Sequence, residues 1–453
     1  MTLINRKIKP EATAELEYDF PSIQKFILPN GIKVFLLQRN ELPIVRIITQ
    51  LDFGSSHDPF EKKGLARLLS NCIDEGAGEY DALQLEEEFD ILGTQFHIDC
   101  SDDITTFNIL TLAENINRTL YLLSLILQLP HLSQQNFERE KRKTLTRLIQ
   151  VKDNAEYIAN RIFFQKIFGK QSFYAHPSLG YDYTVNEITN NDLLNFYKQY
   201  YLPNNLSMIV VGNISKEHLI NNLEKYFVKW ESTPLIKQEN HSEAVTSQSY
   251  YFVDKKDAVQ TEIRIGHTTG QLVYDNFFKK IFLNTAFGGY FASRLNKNLR
   301  ERNGYTYGIS SSNLYLKYAS KISIATSVSS DVTRKAVDEI FFEINKIKFG
   351  LTEEEFESAK SYHIKKYPLD YETISSLANR ISVKLQLNLP DDYFGSYLNK
   401  IKETTLEEVN SIADKFIDET KCVVVLVGSK EVITEQFADK NLIELDYNGT
   451  ALD

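Results

Sequence analysis

At 453 residues, with 42% hydrophobic and 25% charged side chains, the chain is too long for one core and has the composition of a protein that can bury two. Its 51 basic against 61 acidic residues, a formal net charge of −10, argue against a nucleic-acid surface and favour basic or unstructured peptides as partners. Cys72, Cys100 and Cys422 are widely spaced and form no C-x-x-C, so they imply neither a disulfide framework nor a cysteine metal site.

In chain order, Met1 to Pro10 lack the apolar core of a secretory signal, and the cytoplasm is the default compartment. Phe26-Ile27-Leu28 and Ile32 to Leu36 flank Asn30-Gly31, a direct hairpin signal. Glu86-Glu87-Glu88 and Glu353-Glu354-Glu355 read as solvated helix faces near N-termini, and Asp102-Asp103 as a turn. The most apolar run, Leu120 to Leu129, lies between Arg118 and Pro130 and is far short of the ~20 residues of a spanning helix, which predicts a core helix and no membrane span.

The chain also repeats itself. Thr189 to Gly212 and Thr405 to Gly428 align without a gap, 216 residues apart (405 − 189). Each opens with a Thr N-cap and an acid three residues on, Asp192 or Glu408, of which only the second meets the capping-box rule. Apolar residues then recur at helical spacing, at Leu193, Phe196 and Tyr200 and at Val409, Ile412 and Phe416. A β-branched strand follows in both, Met208 to Val211 and Val423 to Val427, stopped by Gly. The expectation is an α+β protein of two homologous domains, each a mixed β-sheet with helices packed against it. They cover 1–232 and 248–453, with the polar, aperiodic stretch 233–247 as linker.

Gly64-Leu65-Ala66-Arg67-Leu68-Leu69-Ser70-Asn71 resembles the zinc helix of the pitrilysin/insulinase-like peptidases, the inverzincins, which reads G-L-A-H-x-x-E-H. There, two His one turn apart bind Zn and the Glu activates water. In this chain those places hold Arg67, Ser70 and Asn71. The family's third ligand, a Glu on a later Glu-Arg-rich helix, is matched within Phe137 to Arg147 by Arg147, 76 residues after Asn71 (147 − 71). An Arg does not deprotonate to become a ligand, and a Ser hydroxyl is far too weak a base to replace a carboxylate. Two guanidinium groups repel a divalent cation from the place it would take. No two of the eight His lie within one helical turn, so the motif cannot be written elsewhere. The resemblance therefore implies the fold without zinc or any other cofactor in this chain.

The second half is different. Phe287-Gly288-Gly289-Tyr290-Phe291-Ala292-Ser293-Arg294-Leu295 and its continuation to Tyr307 resemble the family's C-domain signature. In that family an Arg and a Tyr seven residues apart hold the substrate carbonyl opposite the metal, and Arg300 and Tyr307 have that spacing (307 − 300). A guanidinium and a phenol are fixed donors that can stabilise oxyanion charge. The bland alternative makes Arg300 a cation at a helix C-terminus and Tyr307 an ordinary strand aromatic; the paired spacing behind Gly288-Gly289 favours function. Tyr307, ahead of Gly308, Ile309 and Ser310, reads as strand. Arg294 reads as a salt-bridge former and Tyr305 as a reserve candidate.

Outside the active site the likeness extends over nearly the whole chain, including His176 to Gly180 and Tyr200 to Leu206. It implies a LuxS/MPP-like metallohydrolase fold whose halves face each other as a clam-like chamber. It also implies the zinc-less subunit of a heterodimer with a zinc-bearing H-x-x-E-H homologue, hydrolysing peptides or unfolded polypeptides. One alternative is a non-catalytic structural or binding protein of the same fold, with Arg300 and Tyr307 vestigial. Another is a self-sufficient peptidase with unconventional ligands.

Overall fold

The computed structural model describes residues 20–235 and 247–452. The N-terminal reading on Met1 to Pro10 and most of the 233–247 linker lie outside them. The first half contributes β1 (Gln24–Ile27), β2 (Lys33–Gln38), β3 (Ile44–Leu51), a two-residue ladder β4 (Gly76–Ala77) and β5 (Tyr80–Asp81), β6 (Gln95–Cys100), β7 (Thr105–Leu112) and β8 (Leu206–Gly212). The second contributes β9 (Ser249–Asp254), β10 (Gln260–Gly270), β11 (Ile309–Tyr315), β12 (Ser320–Ser329), β13 (Val423–Gly428) and β14 (Leu442–Leu445).

These make two six-stranded mixed sheets, β6-β7-β3-β8-β2-β1 and β11-β12-β10-β13-β9-β14. The first five places correspond one to one: β8 runs parallel to β2 as β13 does to β9, and the remaining pairs among the five are antiparallel. The sixth place is filled from opposite directions. In the first sheet β1 folds back on β2 through the Asn30-Gly31 turn. There Gly31 has φ +96 and lies so close to Asn204 that a Cβ would sit 2.9 Å from that residue's own Cβ. In the second sheet β14 comes from the C-terminal end and runs parallel to β9.

The apolar runs of β8 and β13 reflect burial on both faces. On one face each half's own helices close the core, with Met208 and Val210 in the first and Val424 and Leu426 in the second. The other faces are closed by an exchange. Helix Ala155–Phe168 of the first half packs Ile158, Ile162, Phe163 and Ile167 against Val423, Val425 and Val427 of β13. Helix Ile374–Gln386 of the second half packs Leu377, Ala378 and Ile381 against Ile48 of β3 and Ile209 and Val211 of β8.

The halves also meet at the tips of equivalent hairpins. Asp103, in the β6–β7 turn, accepts the Tyr174 hydroxyl at 2.6 Å and the backbone N–H of Lys317, in the β11–β12 turn, at 2.8 Å. The Lys317 ammonium pairs with Asp52 at 2.7 Å. Burial pushes the Asp103 carboxyl up and that of Asp102 to about 6. The acidic dipeptide is thus a turn, as expected, and also a tie between the halves.

Three local expectations are revised. Asp192 closes a full capping box with Thr189, accepting its N–H at 2.8 Å and returning its own at 3.2 Å. The helix after Thr405 does not run on to Phe416: it spans Leu406–Asn410 and gives way to a 3-10 turn at Ala413–Lys415. Asn410 is clamped to Leu351 by two hydrogen bonds at this break. Glu355 is not a solvated face residue, because it pairs with the buried Arg294. The Leu120 run lies in the core helix Ile116–Gln128, all three cysteines are buried and unpaired, and no described helix is long and apolar enough to cross a membrane.

Candidate functional site: a converted zinc helix and an Arg/Tyr unit

Helix Leu65–Cys72 starts at Gly64, whose φ of +101 an L-residue rarely adopts. The buried Asp58 carboxylate caps it, accepting the N–H of Gly64 at 2.8 Å and of Ala66 at 2.7 Å. Gly180 presses on the same corner, where a Cβ would come within 2.0 Å of the Lys63 carbonyl oxygen. The His176 to Gly180 segment is therefore a support for this helix. The scaffold that would orient a metal-binding helix is intact.

Its side chains are not those of a metal site. Arg67 reaches the sheet edge, donating to Asp99 of β6 at 3.1 Å. Ser70 is buried and donates back to the Ala66 carbonyl at 2.9 Å, beside the Cys100 thiol, which burial pushes up to about 12. Asn71 is exposed, as is Arg147 on helix Gln134–Val151, which packs against the Leu65–Cys72 helix. The nearby carboxylates are engaged with cations: Glu75 with Arg139, and Glu140 with Arg139 at 3.3 Å and Lys143 at 2.7 Å. Burial pushes Asp74 up to about 7, with Glu75 and Glu140 adding to the shift. Among the described residues no three His, Cys, Asp or Glu side chains are grouped to hold a metal. The residues present do not fit zinc. The purified chain should retain well under one equivalent after dialysis, measured by elemental analysis; a full equivalent lost on changing Arg67 or Asn71 would contradict this.

The second half builds its unit on glycines that allow close approach. A Cβ on Gly288 would lie 2.5 Å from Ser311 Oγ, and one on Gly289 2.8 Å from Asn284 Nδ2. Asn284 and Ser311 bind each other through two hydrogen bonds, tying the loop to β11. Asn296 Nδ2 donates to the Ile309 carbonyl at 2.9 Å, joining the wide-turned helical segment Asn296–Arg302 to the start of the same strand. Arg294 is a salt-bridge former, as expected, but across elements: both its Nε and Nη2 lie 2.6 Å from Glu355 oxygens.

Arg300 is half-buried, whereas Tyr307 leaves this unit for solvent. Tyr307 does not lie in a strand: it occupies a bend before Ile309 and is 96% exposed. Its neighbour Thr306 pins the bend: its hydroxyl oxygen accepts the Gly308 N–H at 3.1 Å and its one proton lies within reach of the Ser327 and Gly308 carbonyls at 2.8 and 2.9 Å, so the loop is held while the phenol projects. Among the described residues neither the Arg300 guanidinium nor the Tyr307 phenol makes a hydrogen bond, and the one partner of Arg300 is the Phe291 ring. The converted helix packs against β6, and the Arg/Tyr unit leads into β11, the equivalent edge strand of the other sheet.

The sequence carries no sign of the roles of Asn296, Thr306 and Phe291, nor of Asp103 as a tie between the halves. Asn296 and Thr306 act through the backbone, and Phe291 looks like any other apolar residue until its exposure is seen.

Two mixed sheets whose first five strands match in order and direction, each with helices packed on it, make the fold of the two-domain inverzincin-like proteins. The family model described as Insulinase (Peptidase family M16) matches residues 33–173, and the one described as Peptidase M16 inactive domain matches residues 187–362. The chain belongs to peptidase family M16. It is 23% identical over 412 residues to a Bacillus subtilis protein named uncharacterized zinc protease YmxG, covering 90% of this chain and 98% of that one. It is also 23% identical over 410 residues to a Helicobacter pylori protein named non-peptidase homolog YmxG, covering 88% and 92%. In fold it matches the peptidase M16 inactive domain from Pseudomonas fluorescens with a TM-score of 0.84 at 20% identity, over 90% of this chain and 98% of that one.

Proposed function

We propose that the chain is the zinc-less subunit of a heteromeric M16 peptidase, with domains 1–232 and 248–453 forming one wall of a peptide-holding chamber. The observation that carries this reading is the pair of donors, Arg300 and Tyr307, without a hydrogen-bond partner among the described residues, in a chain whose metal-ligand places hold Arg67, Ser70, Asn71 and Arg147. Hydrolysis by a metallopeptidase route uses a metal-activated water and a base, and both would come from a partner carrying H-x-x-E-H. The part of this chain is to receive the peptide carbonyl between guanidinium and phenol and to stabilise the charge that grows on its oxygen. Reconstitution tests the reading. Cleavage of an unstructured fluorogenic peptide by the mixed pair, and by neither chain alone, is the expected result. Full activity of the zinc-bearing chain by itself would leave this chain a structural subunit.

A further inference from the structure

Phe291 is a large apolar side chain left 64% exposed at the tip of the Gly288-Gly289 loop, and its ring centroid is 4.0 Å from the Arg300 guanidinium carbon. Its placement is built. The loop is locked to β11 through Asn284 and Ser311, and the ring of Tyr290 next to it rests on Tyr362 at 5.5 Å. We propose that Phe291 is a positioning residue, an aromatic pedestal that holds the Arg300 guanidinium ready for a peptide carbonyl. The proposal rests on the reading of Arg300 as a substrate-binding group.

The physical case has two parts. A free Arg side chain at the surface samples many rotamers, and each must be lost when it binds. A ring under the cation removes that freedom beforehand. A guanidinium held over a ring face still has its N–H donors to give, and among the described residues no other group takes them. A hydrogen-bonded carboxylate would fix the Arg as well, but it would occupy those donors. An aromatic is the support that positions the cation without neutralising it.

Phe291 is exposed and Arg300 half-buried, and a cation–π contact of about 0.5–1 kcal/mol, the range for a largely solvated pair, converts to about a two- to fivefold change in binding. The test uses the full chain and a fluorescein-labelled peptide of about twelve Gly, Ser, Ala and Val residues, with Kd read by anisotropy. NMR of the Arg300 δ-methylene reports the ring-current shift from Phe291. Phe291→Leu should remove the shift and weaken the peptide two- to fivefold, and Phe291→Trp should restore both. A wild-type Arg300 without a ring-current shift, or a shift lost in Phe291→Leu with affinity unchanged, overturns the pedestal. No binding by the wild type, or binding that Arg300→Ala leaves untouched, instead removes the reading of Arg300 on which the proposal stands.

Discussion

Expressed as separate chains, residues 1–240 and 241–453 should each fail to reach a cooperative fold, and co-expression should restore it. The reason is the helix exchange. Ile158, Ile162, Phe163, Ile167 and Phe168 of the first half are 0–3% exposed, and they share one apolar cluster with β13 and its neighbours in the second half. At ~1.5–3 kcal/mol for each such side chain, uncovering them costs about 10 kcal/mol, the order of a whole domain's stability of ~5–15 kcal/mol. The second half loses its helix Ile374–Gln386 contacts to β3 and β8 in the same way. A gentler version is Phe163→Ala in the intact chain, which should cost ~3–5 kcal/mol and lower one shared unfolding transition. Circular dichroism during urea unfolding checks both. A fragment that unfolds sharply at the midpoint of the intact chain would show that the exchange is dispensable.

Tyr307→Phe should lower kcat of the reconstituted peptidase by on the order of 10²-fold with assembly unchanged. Among the described residues the phenol has no hydrogen-bond partner, and it is 96% exposed, so removing its oxygen opens no cavity and strands no described group. Stability should therefore stay within ~0.5 kcal/mol of wild type, and any rate loss belongs to the site. If Arg300 and Tyr307 hold one oxygen, adding Arg300→Ala should cost less than the sum of the separate changes. Steady-state kinetics on the pair, with light scattering to check assembly, decides the matter. Unchanged turnover would make the motif a relic.

Much of this was legible in the sequence because it lies in local signals. Asn30-Gly31 between β-branched runs gives β1 and β2, and the 216-residue repeat places β8 and β13 in equivalent positions. The loss of zinc ligands needs only residue chemistry at Arg67, Ser70, Asn71 and Arg147. What escaped depends on partners distant in the chain. The all-apolar strands say that both faces are covered but not that helix Ala155–Phe168 crosses to cover the far sheet. Glu355 is one acid in a charged run, yet it is half-buried and paired with the buried Arg294. The alternation that starts at Ile309 points to strand at Tyr307; the Thr306 hydroxyl, accepting the Gly308 N–H and reaching the Ser327 carbonyl, holds the backbone in a bend instead.

The crossed helices make the two halves look like a pair of subunits that have traded arms and then been tethered. In such an arrangement the tether supplies effective concentration, not geometry, and once the arms are traded the contacts themselves hold the pair. A protease that cuts between residues 235 and 247 should then leave a nicked protein that migrates as one particle in native gels and as two bands only after denaturation. The chain would tolerate a break in its middle far better than a truncation of either crossed helix.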